Sequence, residues 1–140
     1  MKANDHIVQE MRVAARAAMR NAYCGYSKFR VGAAILTADG EIFAGCNVEN
    51  ASYGLTSCAE RNAIFQAVAK GALSKDRKLK AVVVVTPKKK LATPCGACRQ
   101  VINEFGPNAE VFLFGRGKMG QKIPLSKLIP RAFGPLNLDR

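Results

Sequence analysis

Three cysteines and one glutamate stand in a pattern suited to hydrolysis at a metal ion. Cys58-Ala59-Glu60 comes first, and Pro94-Cys95-Gly96-Ala97-Cys98 follows. A structural zinc site closes with four protein ligands, whereas a catalytic one keeps a position for water. Cys58, Cys95 and Cys98 supply three thiolates, and Glu60 is a carboxylate that the metal does not need as a ligand. Two residues past Cys58, Glu60 is free to lie over the open position and handle protons there. Three thiolates leave a divalent zinc site with a net negative charge, which raises the pKa of bound water. A cation should offset it. Arg61, next to Glu60, and Arg99, next to Cys98, are candidates to donate to the sulfurs, the plain alternative being two surface arginines on helices. A four-cysteine structural site using Cys46 or Cys24 is the rival, and it leaves Glu60 without a role. Those two cysteines read as free, buried small side chains. His6 is the one histidine and lies far from the cysteines in sequence, so it reads as non-catalytic.

Both ligand groups need helix starts, where free N–H groups and the helix dipole favour the thiolate form. The sequence supplies them. Ser57 reads as the cap of a helix from about Cys58 to Lys70, stopped by Gly71. A second helix starts near Cys95 and ends at Gly106-Pro107. On its first turn Cys95 and Cys98, three apart, face the same way, and Pro94 stiffens the entry. Upstream, Ile7, Val8, Met11, Ala14, Ala15, Ala18 and Met19 form a helical stripe between Asp5 and Ala22. Tyr23-Cys24-Gly25-Tyr26-Ser27 breaks it. Val31–Leu36 and Glu41–Cys46 read as strands joined by Ala38-Asp39-Gly40, hence a hairpin. Ala81–Val85 is a β-branched run covered on both faces, and Glu110–Phe114 is another strand. This order predicts an α/β layered domain with a mixed sheet, spanning residues 1–140 as one unit.

Composition narrows the class. Hydrophobic residues make up 49% and charged residues 23%, which fits a folded globular chain and not a disordered one. No apolar run reaches the roughly 18 residues needed to span a bilayer. The start, Met1-Lys2-Ala3-Asn4-Asp5, does not read as a secretory signal, so the expected compartment is the cytoplasm, where cysteine clusters bind metal. The net charge of +12 raises a polyanion partner. The basic residues are spread along the chain, which favours a solvated surface and makes nucleic acid an unlikely partner. The run Lys88-Lys89-Lys90, just ahead of the ligand loop, is the exception and keeps a phosphate-bearing substrate in view.

Taken together, these segments resemble the short, three-cysteine zinc type of cytidine deaminase. Tyr26–Ala34 resembles that family's opening strand segment, and Gly45–Tyr53 its ribose-binding segment. Cys58-Ala59-Glu60-Arg61 and Pro94–Gln100 match the zinc motifs, and Leu128–Phe133 resembles the C-terminal segment. The five matches occur in order over nearly the whole chain. The resemblance implies a three-layer α/β/α fold with a mixed central sheet of about five strands. It implies one Zn²⁺ per subunit on Cys58, Cys95 and Cys98. The implied reaction is conversion of cytidine and deoxycytidine to uridine and deoxyuridine in pyrimidine salvage, with zinc-bound hydroxide attacking C4 and Glu60 as proton shuttle. Asn47 and Glu49 are then expected on the sugar hydroxyl, Phe29 on the base, and Ala59 near its Watson–Crick edge. Phe133 is expected to reach a substrate bound by a neighbouring subunit of a homotetramer. Without the resemblance, Phe29 reads equally as core packing, and Asn47 and Glu49 as a solvated loop end. Three rivals stand beside this reading: a deaminase of a cytosine-containing antibiotic of the blasticidin S type, deamination within RNA or DNA, and a non-catalytic zinc-stabilised module.

Overall fold

In the computed structural model the described residues are 5–117 and 119–138, so the reading of Met1–Asn4 lies outside them. Helix α1 (Asp5–Met19) leads into the hairpin β1 (Gly32–Thr37) and β2 (Ile42–Cys46). Helix α2 (Ala59–Ala69), strand β3 (Leu79–Val85), helix α3 (Gly96–Phe105) and strand β4 (Glu110–Phe114) follow, then β5 (Gly120–Pro124) and the short α4 (Leu125–Leu128). The sheet order is β2-β1-β3-β4-β5. The β3–β4 pair is parallel and the other neighbours are antiparallel, so the sheet is mixed as expected. Parallel β3 and β4 need a crossover, and α3 is that crossover.

Strand alternation builds the layers. Ala81, Val83 and Val85 face α1 with Ala34 and Leu36, against Val8, Met11 and Ala15. Val82 and Val84 face the other way with Ile35, Val111 and Leu113, against Ala63, Ile64 and Ala67 of α2 and Ile102 of α3. This is the three-layer α/β/α arrangement. Each fully buried Val or Ile contributes roughly 1.5–3 kcal/mol, so β3 is the apolar centre of the molecule. Two glycines permit the closest approaches. A Cβ on Gly32 would strike the Ala15 carbonyl oxygen of α1. One on Gly45 would lie 2.7 Å from the Ala63 nitrogen of α2.

Four sequence expectations shift. Helix α1 stops at Met19, short of Ala22: the Asn21 N–H bonds the Ala18 carbonyl in a tight turn, and Tyr23 leaves to pair with Val48. Ser57 is not the cap of α2. Cys58 holds that position in extended conformation, while the Ser57 hydroxyl bonds Asn62 Oδ1 at 2.6 Å. Helix α3 is flanked by Cys95, which makes no side-chain capping bond. Strand β5, which periodicity did not locate, is an exposed edge strand with only Ile123 half-buried and no apolar alternation to betray it. Among the described residues no helix is long and apolar enough to cross a membrane.

Candidate active site

The two ligand groups meet because α2 and α3 begin at the same edge of the sheet. Cys58 and Cys95 sit at the positions just before the two helices, and Cys98 lies one turn into α3. Their three sulfurs lie within 4.8 Å of one another, the one such group among the described residues. Buried Cys24 and half-buried Cys46 are free and stand outside it, so the three-plus-carboxylate arrangement prevails over a four-cysteine site. Cys98 is buried, Cys58 half-buried and Cys95 exposed, so the cluster is reached from the Cys95 side. The Cys58 and Cys95 sulfurs are 3.8 Å apart. Two sulfurs at about 2.3 Å from one tetrahedral zinc stand about 3.8 Å apart, so the donor set fits that ion in both chemistry and spacing.

The charges around the cluster are matched. Cys58 is drawn down to about 5, first by a hydrogen bond from Cys98 and also by Arg61, whose Nη2 donates to Cys58 Sγ at 3.3 Å. The same bond raises the Arg61 pKa, and the shared proton raises that of Cys98. Arg61 Nε is buried without a hydrogen-bond partner among the described residues. Glu60 is only 4% exposed, and this burial pushes its carboxyl up to about 7. A carboxyl near neutrality is suited to accept a proton and return it. Ala59 is fully buried at the opening of α2.

Arg99 goes elsewhere. Its Nε donates to the Pro94 carbonyl at 2.7 Å, Nη1 to the Leu128 carbonyl at 2.8 Å and Nη2 to Thr93 Oγ1 at 2.8 Å. It ties the ligand loop to α4 and does not meet the sulfurs in these bonds. His6 lies on the exposed face of α1 beside Glu10, at 3.3 Å.

Beyond the cluster, residues 23–31 and 47–57 are tied to each other by hydrogen bonds. Asn47 Oδ1 accepts from the Val31 N–H at 2.9 Å, and its Nδ2 donates to the Phe29 carbonyl at 2.9 Å. Asn47 therefore fixes the half-buried Phe29 through the backbone. Glu49 accepts from the N–H groups of Tyr26 and Ser27 at 3.1 and 3.0 Å and from the Ser27 hydroxyl. The Ser27 hydroxyl above all holds the Glu49 carboxyl below its ordinary range. Lys28, between these anchors and Phe29, has φ 60, a left-handed conformation that costs a non-glycine residue about 1–2 kcal/mol. Tyr26, Ser27, Glu49, Tyr53 and Thr56 line a cavity of about 330 Å³. Phe133 is 58% exposed, its carbonyl held by Gln100 Nε2 at 2.8 Å. Sequence reading missed Ser27 and Asn62. The first looked like a helix breaker, and the second carries no motif yet ties α2 to β2 through the Cys46 carbonyl at 2.8 Å.

Comparison with known proteins gives a consistent picture. The family model described as the cytidine and deoxycytidylate deaminase zinc-binding region matches residues 6–114. A cytidine deaminase of Halalkalibacterium halodurans is 47% identical over 117 residues, 83% of this chain and 86% of that one. One from Sporosarcina psychrophila is 42% identical over 133 residues, 94% of this chain and 95% of that one. The crystal structure of cytidine deaminase from Burkholderia pseudomallei superposes with a TM-score of 0.83 at 45% identity, covering 94% of this chain and all of that one.

Proposed function

The chain belongs to the cytidine and deoxycytidylate deaminase family, and from that premise we propose that it hydrolyses cytidine and deoxycytidine to uridine and deoxyuridine, releasing ammonia. One observation carries this reading: three cysteine sulfurs gathered within 4.8 Å, with the buried carboxyl of Glu60 two residues from the first of them. Cys58, Cys95 and Cys98 would hold zinc. Zinc held there supplies a water of lowered pKa. Glu60 would take one proton of the attacking water and give it to N3 of the base, then take the remaining proton from the new C4 hydroxyl and pass it to the amine as the C4–N bond breaks and the carbonyl forms. Burial of Glu60 excludes bulk water from the transfer. Arg61 donates to Cys58 and offsets the negative charge of the thiolates. Arg99 holds the Pro94–Cys95 turn so that both α3 thiolates face the cluster.

Phe29 packs on the base, and Ala59 offers its backbone to the base edge. Glu49, held by Tyr26, Ser27 and Asn47, is the carboxylate that meets a sugar hydroxyl. Asn47 supports the same hydroxyl chiefly by orienting Phe29 and Glu49, since its own amide is committed. Exposed Phe133 reaches a substrate in a neighbouring subunit. A homotetramer is supported by the exposed apolar side chains of Tyr53, Leu55, Phe65 and Phe133. The setting is cytoplasmic pyrimidine salvage.

Ultraviolet absorbance loss on cytidine, deoxycytidine, cytidine monophosphate and blasticidin S tests this reading. Turnover of the two nucleosides supports it. Turnover of the antibiotic or the nucleotide alone overturns the substrate assignment.

A further inference from the structure

The fold gathers charges that are dispersed in the sequence. No acidic residue occurs between Met11 and Ala38, or between Arg77 and Asn103. Strands β3 and β4 run parallel, so Val85 and Phe114 end side by side. Antiparallel β1 brings Gly32 to the same edge, and the end of α1 packs on Gly32. The loop after β3 carries exposed Lys88, Lys89 and Lys90, and the loop after β4 carries Arg116. These loops are joined, for the Arg116 N–H donates to the Lys88 carbonyl at 2.9 Å, and Gly115 packs against the Lys88 carbonyl. Arg12 of α1 continues the row. Its Nη2 donates to the Gly117 carbonyl at 3.1 Å, and its guanidinium lies 4.4 Å from the centre of the Phe114 ring. Arg16 is close enough to lower the Arg12 pKa further, after burial. The opposite edge carries Asp39 and Glu41 in the β1–β2 turn, Asp76 before β3, Glu104 near the end of α3 and Glu110 opening β4. Lys75, Arg77 and Lys78 flank Asp76 there and Lys122 pairs with Glu110 at 3.4 Å, so that edge carries both signs, whereas the loops after β3 and β4 and α1 beyond Glu10 carry cations without an acid.

From this row, Lys88–Lys90, Arg116, Arg12 and Arg16, we propose that the edge binds the phosphodiester backbone of RNA, independently of base sequence. The lysines are exposed and sit on a surface loop, so they do not build a closed pocket for one phosphate. Contacts join the three segments that carry these cations into one basic surface, which complements a polyanion longer than a single phosphate. Phe114 is buried beneath Arg12 and offers no face for stacking, so recognition rests on charge. This binding is additional to nucleoside turnover and does not depend on it.

The test is fluorescence anisotropy of a labelled oligouridylate with the zinc-loaded protein, between about 50 and 200 mM salt. About four phosphate contacts give a slope of log K against log salt of about −3. The variant Lys88→Ala/Lys89→Ala/Lys90→Ala should lose about tenfold or more in affinity and flatten the slope by about two, with melting temperature and zinc content unchanged. Arg116→Gln, a single change elsewhere in the row, should flatten it by about one. Lys75→Ala/Lys78→Ala, near the opposite edge, should change neither quantity. A flat salt response overturns the proposal. So does equal weakening by the two lysine variants, which would point to net charge alone. Binding to phosphatidylglycerol vesicles without binding to the oligonucleotide also overturns it, and assigns the edge to a membrane surface. Because the readout is binding, none of these results bears on cytidine turnover.

Discussion

The site depends on a few side chains whose chemistry is set by their neighbours. Arg61 is the cation nearest the thiolates, and its bond to Cys58 Sγ is 3.3 Å long. Arg61→Gln removes the charge while keeping a donor. Zinc affinity or turnover should fall about 10–100-fold, read by competition with a chelator and by kcat/KM. If both stay at the wild-type level, the arginine does not serve the cluster. Glu49 yields a pH prediction. Its folded-state pKa is depressed, so the stability it contributes is complete above its unfolded value of about 4.3 and is lost as pH falls through the depressed value. The stability gap between wild type and Glu49→Gln in urea melts should therefore shrink on acidification below about pH 4. A gap constant with pH contradicts the anchoring role. At this scale the sequence was informative about Cys58, Cys95, Cys98 and Glu60, because metal chemistry restricts residue type and spacing. It was uninformative about Arg99, whose bond to Leu128 forms only when α4 docks on the ligand loop.

Elements carry the site by close packing. Helix α2 brings Cys58 and Glu60 to the sheet edge, and it can lie on β2 because Gly45 lacks a side chain. A Cβ there would stand 2.7 Å from the Ala63 nitrogen and 2.8 Å from the Ala59 carbonyl oxygen, both backbone atoms that cannot turn aside. Gly45→Val should cost about 3 kcal/mol or more and loosen zinc binding, because α2 must lift. The checks are thermal melting and zinc titration, and unchanged values in both would refute this packing account. Sequence patterning found α1 by its apolar stripe, α2 and α3 by their start and stop residues, the β1–β2 hairpin by its turn and β3 by its β-branched apolar run. It failed for β5, whose residues are mostly exposed and whose place is fixed by pairing with β4. It also misplaced the α2 cap. Ser57 has the right side chain, but the chain turns one residue later and leaves the thiol at the helix start.

At the scale of the whole molecule, the sequence disclosed the +12 charge and not its placement. Residues as distant as Arg12, Lys88 and Arg116 become neighbours only through sheet order, so linear spacing suggested dispersal where the fold joins basic segments at one edge. Assembly is the other property at this scale. Phe133 is 58% exposed and belongs, in the proposed homotetramer, to a neighbour's site. Phe133→Ala should raise KM for cytidine by about tenfold with kcat little changed, because an aromatic contact made equally in ground and transition states is lost. Sedimentation should give the mass of four chains. A monomer with unaltered KM in the variant would refute the shared site. The central claim is that a zinc held by Cys58, Cys95 and Cys98 works with Glu60 as the proton carrier. The most direct measurement is zinc content and cytidine turnover on the same preparations of wild type and Glu60→Gln. The account predicts equal zinc, about one per chain, and turnover lowered about 100-fold or more in the variant. Equal zinc with turnover retained would contradict it.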